Sequence, residues 1–234
     1  MTYVISDIHG EYNQFMDILG KIRFGETDVL YVLGDVVDRG PNPIKVLQYM
    51  MTKPNIIPIV GNHEIMALIC LRLLPNEITE NFLSELSFED YVQLTDWIAD
   101  GGGSTIQEFA RLNADERQEV LDYIGEFIDY EELSVAGKDY LLVHAGIDGF
   151  SPDKPMEEYT IDDLVWKRTD YETPYFDDIY VVSGHTPTQC ISGNERPGYI
   201  YRSNNHIAID CGAHHHDGRL AAICLETGEE FYSG

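Results

Sequence analysis

Three short apolar runs punctuate the first part of the chain: Tyr3-Val4-Ile5, Val29-Leu30-Tyr31-Val32-Leu33 and Ile56-Ile57-Pro58-Ile59-Val60. Each is too short for a helix and is rich in strand-favouring residues, so each reads as a buried strand. Each gives way to polar residues beside a glycine: Ser6-Asp7-Ile8-His9-Gly10, Gly34-Asp35 and Gly61-Asn62-His63-Glu64, with a helical stretch following. Strands alternating with helices at this spacing predict βαβ units and a largely parallel sheet. Ligands of such sheets sit beyond the carboxyl ends of the strands, and all three polar turns fall at that edge.

From Ile65 to about Tyr130 the apolar positions take helical spacing, punctuated by Pro75 and Gly101-Gly102-Gly103. No Ser/Pro-rich linker frames this stretch. The expectation is one α/β domain over 1–234 with a helical insertion at about 65–130. Beyond it, Leu133-Ser134-Val135 and Tyr140-Leu141-Leu142-Val143 flank Gly137-Lys138-Asp139 as a hairpin. Further strands are expected at Ile179-Tyr180-Val181-Val182, Tyr199-Ile200-Tyr201, Ile207-Ala208-Ile209 and Leu220–Leu225, with Gly228 turning into a last pair.

Hydrophobic residues make up 44% of the 234 residues, ample for a core. Asp and Glu number 41 against 15 Lys and Arg, a net charge of −26, and the pI is near 4.4. That field repels phosphate at long range and argues against nucleic acid or an anionic membrane as partner. Any phosphate site must therefore carry a local cationic device. Four cysteines without CxxC spacing fit reduced thiols in a cytoplasmic protein. The amino terminus reads as no signal peptide, and no apolar run approaches a membrane span.

Read together, the strand ends supply Asp7, His9, Asp35, Asn62, His63, His144 and His185, each beside or near a glycine. Oxygen and nitrogen donors without sulfur suit manganese, iron or zinc and are too nitrogen-rich for calcium. They exceed what one tetrahedral site uses, unless a carboxylate bridges two ions. Two metals ~3.5–4 Å apart can activate water and clamp an in-line displacement at phosphorus. Singly, each motif has an ordinary explanation as turn chemistry. Five such turns in order do not.

Asp7-Ile8-His9-Gly10, Gly34-Asp35-Val36-Val37-Asp38-Arg39-Gly40, Gly61-Asn62-His63-Glu64, His144-Ala145-Gly146 and Gly184-His185 resemble the calcineurin-like metallophosphoesterase superfamily. They are similar in particular to its phosphoprotein phosphatase branch, typified by calcineurin and the phage λ phosphatase. The resemblance implies a sandwich of two mixed β-sheets flanked by helices. It implies two divalent ions, manganese foremost, with iron or zinc as alternatives. Asp7 and His9 would hold the first ion, Asp35 would bridge, and Asn62, His144 and His185 would hold the second. Arg39 would grip the phosphoryl oxygens, a geometry its guanidinium fork matches. His63 reads as the acid that protonates the leaving oxygen, oriented by Asp38, because neighbouring residues at a strand end point apart.

Trp166-Lys167-Arg168 resembles the Trp-x-Arg segment of the λ-type enzymes, making Arg168 a second phosphate contact; it follows a capping-box pattern at Thr160. The glycine run after Trp97 is expected to let backbone pass close to the site or to another helix. His214-His215-His216 reads as a solvated loop and Asp210-Cys211 as structural. The implied activity is a metal-dependent phosphomonoesterase, a protein serine/threonine phosphatase working by attack of a metal-bridging hydroxide on phosphorus. Its substrate would be a phosphorylated protein or small phosphoester. Two alternatives stand beside it, a symmetrical dinucleoside-tetraphosphate hydrolase and an inactive metal-dependent binding module. Tetraphosphate hydrolases tend to replace the Asp38-type residue and to carry Gly-Asn-His-Asp, so Asp38 and Glu64 favour the protein phosphatase. Val60 stands where eukaryotic protein phosphatases usually have arginine.

Overall fold

Alternation of side chains along each strand splits the apolar runs between two cores. The computed structural model describes residues 1–75 and 82–234. Its first part is β1 (Thr2–Ile5), α1 (Tyr12–Lys21), β2 (Val29–Leu33), α2 (Pro43–Met51) and β3 (Ile56–Ile59). A helical stretch follows: α3 (Asn62–Leu73), α4 (Phe82–Glu85), α5 (Phe88–Trp97), a π-helical turn (Ile98–Gly102), α6 (Gly103–Phe109) and α7 (Ala114–Gly125). Then come β4 (Tyr130–Val135), β5 (Lys138–Val143), α8 (Ile161–Val165), β6 (Ile179–Ser183), β7 (Tyr201–Ser203), β8 (His206–Ala208), β9 (Ala221–Cys224) and β10 (Glu230–Tyr232). Helices α3 to α7 fall in the stretch read as a helical insertion at about 65–130, of which residues 76–81 lie outside the described residues. Among the described residues no helix is long and apolar enough to cross a membrane.

Two five-stranded sheets result, ordered β10-β9-β1-β2-β3 and β4-β5-β6-β8-β7. In the first, β1, β2 and β3 are parallel, while β9 returns antiparallel to β1 and β10 to β9. In the second, β5, β6 and β8 are parallel between antiparallel edge strands. Val4, Tyr31, Leu33, Ile59 and Ile223 meet Tyr140, Leu142, Val182 and Ile207 between the sheets. Their neighbours Tyr3, Ile5, Leu30 and Val32 instead join Phe15 and Ile18 of α1 and Val46 and Leu47 of α2. Full burial of each aliphatic or aromatic side chain contributes about 1.5–3 kcal/mol. This is the α/β sandwich of two mixed sheets flanked by helices that the motifs implied.

Boundaries shift where backbone hydrogen bonds lead elsewhere. Pro58 lies in β3, the edge of its sheet, where its missing N–H costs least; its carbonyl takes the Ile128 N–H at 3.1 Å. The hairpin turns on Ala136 and Gly137, both left-handed at φ 51° and 78°, so Lys138 and Asp139 belong to the ladder rather than the turn. β7 starts at Tyr201 because the Ile200 N–H donates to the Tyr232 hydroxyl instead of a strand. Most relevant for function, the β1–β2 ladder does not stop with the strands. Asp7, His9 and Gly10 N–H groups donate to the carbonyls of Gly34, Asp35 and Val36 at 3.1, 2.8 and 2.8 Å, zipping the two polar loops together.

Candidate metal centre and phosphate clamp

The loops at the carboxyl edge are held in unusual backbone conformations. Asp7, His9, Asp35, Asp38, Arg39 and His185 all have positive φ, between 45° and 71°. Each such residue costs about 1–2 kcal/mol, and strain of this kind persists only where surroundings over-determine it. Here the neighbouring loops do so. A Cβ on Gly34 would lie 2.5 Å from the Gly61 nitrogen, so only glycine lets the second and third strand ends close on each other.

Two groups of side chains converge there, each with potential ligand atoms within 4.8 Å of one another: His9, Asp35 and His63, and Asp35, His144 and His185. Asp35 is common to both. Its carboxylate lies 3.6 Å from His9 Nε2, 3.9 Å from His63 Nε2 and 3.5 Å from His144 Nε2. Burial pushes Asp35 upward, but His144, His63, His9 and His185 together hold it well below the usual carboxylate range.

The chemistry of the donor set fits divalent cations. His9 Nδ1 bonds the Val37 carbonyl at 2.9 Å and His144 Nδ1 the Leu33 carbonyl at 2.7 Å. Carbonyls only accept, so both rings carry their proton on Nδ1 and turn a lone pair at Nε2 toward Asp35. His185 likewise bonds the Trp166 carbonyl, leaving Nδ1 to face Asn62. Asn62 Oδ1 then meets lone pairs from His144 at 3.0 Å and His185 at 3.1 Å, an arrangement that a cation between them relieves. Burial holds His9 well below its ordinary value and, with His144 and Arg168, brings His185 to about 4, so both rings stay neutral as ligation requires. Asp7 is buried and accepts the His185 N–H at 3.0 Å. Burial and the nearby Asp210 and Asp35 carboxylates push Asp7 well above its ordinary value, the signature of an anion lacking a counter-charge.

Asp7 stands outside both three-residue groups, whereas His63 joins the first. Asn62 and His63 do not simply point apart, because they open helix α3; successive helical residues diverge enough to approach Asp35 from two directions. The His63 N–H donates to Asp35 Oδ1 at 3.2 Å, while Nδ1 bonds Asp38 Oδ2 at 2.7 Å. Asp38 is itself fixed by Trp97 Nε1 at 2.7 Å and by the Thr105 hydroxyl. Burial alone would lower His63, but Asp35 and Asp38 outweigh it and raise it to about 9. Arg39 spans the first group, with Nη1 3.0 Å from His9 Nε2 and Nη2 2.9 Å from His63 Nε2. An Arg39 N–H can only donate, so this contact requires a lone pair at His63 Nε2.

The expected role of the glycine run is borne out. Gly101 has φ 115°, its carbonyl accepts the Arg39 N–H at 3.0 Å, and a Cβ there would lie 2.6 Å from Arg39 Cγ. Asp100 in the same turn accepts Arg39 Nη2 at 3.2 Å. The sequence assigned no role to Asp100 or Thr105, and Glu64 entered only as a marker of substrate class. Glu64 is the largest omission: its carboxylate accepts the N–H groups of Asp35, Val36, Val37 and Gly61 at 2.7, 2.8, 3.2 and 3.0 Å. Burial and Asp35 push its carboxyl up to about 7. An acid three residues after a helix cap was the available signal.

Arg168 is exposed and within electrostatic range of His185, and Trp166 is also exposed rather than core. Asp210 is buried and takes the Gly212 N–H at 2.8 Å, in keeping with a structural turn. The histidine run divides. His215 and His216 are exposed, but His214 packs edge-on against His9 with ring centroids 4.7 Å apart, so it belongs to the rim of the centre and not to a solvated loop. The cause is the anchored backbone: Gln14 of α1 donates to the Ala213 carbonyl at 2.7 Å.

Comparison with known proteins adds the following. The family model for calcineurin-like phosphoesterase matches residues 2–218. The symmetrical bis(5'-nucleosyl)-tetraphosphatase of Buchnera aphidicola subsp. Acyrthosiphon pisum is 36% identical over 123 residues, 51% of this chain and 42% of that protein. The chain thus matches about two-fifths of that relative's length. A crystal structure of a candidate diadenosine tetraphosphatase superposes with TM-score 0.66 at 18% identity, covering 99% of this chain and 91% of the other. A protein serine/threonine phosphatase of Saccharomyces cerevisiae gives 0.59 at 13%, covering 100% and 80%; at these identities the structures speak for the fold alone. The curated relatives overturn the protein serine/threonine phosphatase reading in favour of the alternative set beside it. Its two supports fail physically: Asp38 is engaged by His63, Trp97 and Thr105, and Glu64 by four backbone N–H groups, so both order the site from behind and neither selects what leaves it.

Proposed function

The chain belongs to the calcineurin-like phosphoesterase family, and from that premise we propose that it hydrolyses dinucleoside tetraphosphates symmetrically, giving two nucleoside diphosphates. The observation that carries the proposal is Asp35 shared between two ligand groups, with Arg39 against the two histidines of the first, in a chain similar to symmetrical tetraphosphatases. Asp7, His9 and Asp35 would hold one ion, and Asp35, Asn62, His144 and His185 the other. Manganese is the loading tested first, with iron and zinc suited to the same donors. Bound there, two such ions would supply acidification of water and neutralisation of charge on phosphoryl oxygens.

The remaining work falls to this chain's own groups. Arg39 offers two N–H donors in one plane to the phosphoryl oxygens, whose charge grows toward the transition state. In a protein of net charge −26 that local cation is what makes the site hospitable to a polyanion. His63, charged through Asp35 and Asp38, hands a proton from Nε2 to the departing oxygen. A departing nucleoside diphosphate is itself a phosphate, with a pKa of ~6, and needs that proton far less than an alkoxide does. Asp38 and Glu64 position, the first by orienting the His63 ring and the second by fixing the Asp35 loop. The test is a comparison of kcat/KM on diadenosine tetraphosphate, p-nitrophenyl phosphate and a phosphoserine peptide in Mn²⁺. The tetraphosphate is expected to lead by at least tenfold. Turnover of p-nitrophenyl phosphate with none of the tetraphosphate would overturn the proposal.

A further inference from the structure

Four imidazole rings run outward from the candidate metal centre. His63 packs edge-on against His9 with ring centroids 4.8 Å apart, His9 edge-on against His214 at 4.7 Å, and His214 lies over His215 at 4.0 Å with the ring planes 38° apart. The inner two have their tasks in the centre; the outer two have none there. His216 shows what a merely solvated member of this run does: almost fully exposed, its ring pairs with the adjacent Asp217 at 3.0 Å. His215 instead turns back onto His214. Its backbone is held on both sides, the N–H donating to the Gly212 carbonyl at 2.8 Å and the carbonyl accepting the Gly218 N–H at 2.9 Å. His215 is exposed, and its side chain makes no hydrogen bond or ion pair with any described residue. A ring on a fixed backbone, backed by a second ring and open to solvent, is a stacking platform.

We propose that the His214–His215 pair carries the base of one nucleoside half of the substrate, resting on the tetraphosphatase reading for the identity of that substrate. Arg39 and His63 lie within electrostatic range of His214, so a phosphate gripped by Arg39 sits beside the row of rings. In a nucleoside diphosphate the base stands off the terminal phosphate by a second phosphate and a ribose. His215 stands off Arg39 by the rings of His9 and His214, a separation of the same order. Every base has a π-face, so the platform accepts purines and pyrimidines alike. A neutral base also approaches a chain of net charge −26 without the repulsion its phosphates meet. Stacking thus adds affinity where long-range charge subtracts it.

Two variants test the platform. His215→Ala removes the outer ring from an exposed position, and His215→Phe keeps a ring there. Titration calorimetry on Mn²⁺-loaded protein reads the dissociation constants of ADP and of pyrophosphate, which carries two phosphates and no base. Loss of one base stack weakens binding about 5- to 150-fold. His215→Ala should therefore weaken ADP at least fivefold and pyrophosphate less than twofold, and His215→Phe should bind ADP within threefold of wild type. Unchanged ADP affinity in His215→Ala would overturn the platform. So would equal losses for the two ligands, which would make His215 a support of the phosphate end, or a loss of ADP affinity that phenylalanine does not restore. The two readings separate cleanly. Tetraphosphate hydrolysis with ADP affinity indifferent to His215 removes the platform and keeps the activity; a base-selective loss without tetraphosphate hydrolysis does the reverse.

Discussion

Replacing Glu64 with glutamine changes no volume and removes one charge, yet it should loosen the loop that carries Asp35. In the native site Oε2 takes the Asp35 and Gly61 N–H groups at 2.7 and 3.0 Å, and Oε1 takes those of Val36 and Val37 at 2.8 and 3.2 Å. A glutamine amide keeps one of these oxygen positions and puts an NH₂ in the other, donor against donor. Two buried N–H groups lose their acceptor, at about 1–3 kcal/mol each, or about 2–6 kcal/mol together. Glu64→Gln also removes the repulsion between Glu64 and Asp35, which returns part of this, so a net loss of about 3 kcal/mol is expected. For a chain of this size that lowers Tm by about 6–12 °C. The assay is thermal unfolding of chelator-treated protein, so that bound metal does not mask the effect. Metal titration of the same variant should show weakened binding, because Asp35, common to both candidate ligand groups, rides on the loosened loop. A Tm within 1 °C of wild type would refute the claim that this carboxylate holds the loop.

Four further outcomes follow from the same geometry. Asp35→Asn should reduce bound Mn²⁺ from two ions to one or none by elemental analysis, with activity lost alongside. Arg39→Ala should weaken orthophosphate inhibition and kcat/KM together by at least tenfold; normal values in both would move the clamp to Arg168. His63→Asn should cost more on an alkyl phosphate than on p-nitrophenyl phosphate or the tetraphosphate, within the ~10²–10⁴ a general acid supplies, and equal losses would reassign His63 to positioning. Burial lowers His206 below its ordinary 6.5 against the opposing Thr173 carbonyl and Asp170. Below pH ~6.5 the unfolded chain gains a proton that folded His206 resists, so stability falls with pH there; His206→Gln should flatten that slope in urea titrations at pH 5 and 7.

The strand-end turns were legible because short apolar runs, a polar residue and a glycine form a local pattern, and the parallel ladder places such turns on one edge. The positive φ of Asp7, Asp35 and His185 was not legible, since it comes from neighbouring loops closing on one another. Trp97 and Thr105 lie 59 and 67 residues from Asp38, and nothing local announces that their side chains complete its environment. Glu64 and Asp38 were read as markers of a substrate class, but a residue that faces the backbone or the rear of a histidine reports on loop geometry. His214 was hidden by its neighbours: three adjacent histidines look like a solvated tract until the Gln14 anchor turns one ring onto His9.

Hydrolysis of diadenosine tetraphosphate in ¹⁸O-labelled water, read by mass spectrometry of the nucleotide products, tests the proposed activity most directly. Symmetrical cleavage by water at one central phosphoryl group yields ADP alone, with one ¹⁸O atom in the terminal phosphate of half the molecules. AMP and ATP as products, or no labelled nucleotide from Mn²⁺-loaded protein that still turns over p-nitrophenyl phosphate, would contradict it.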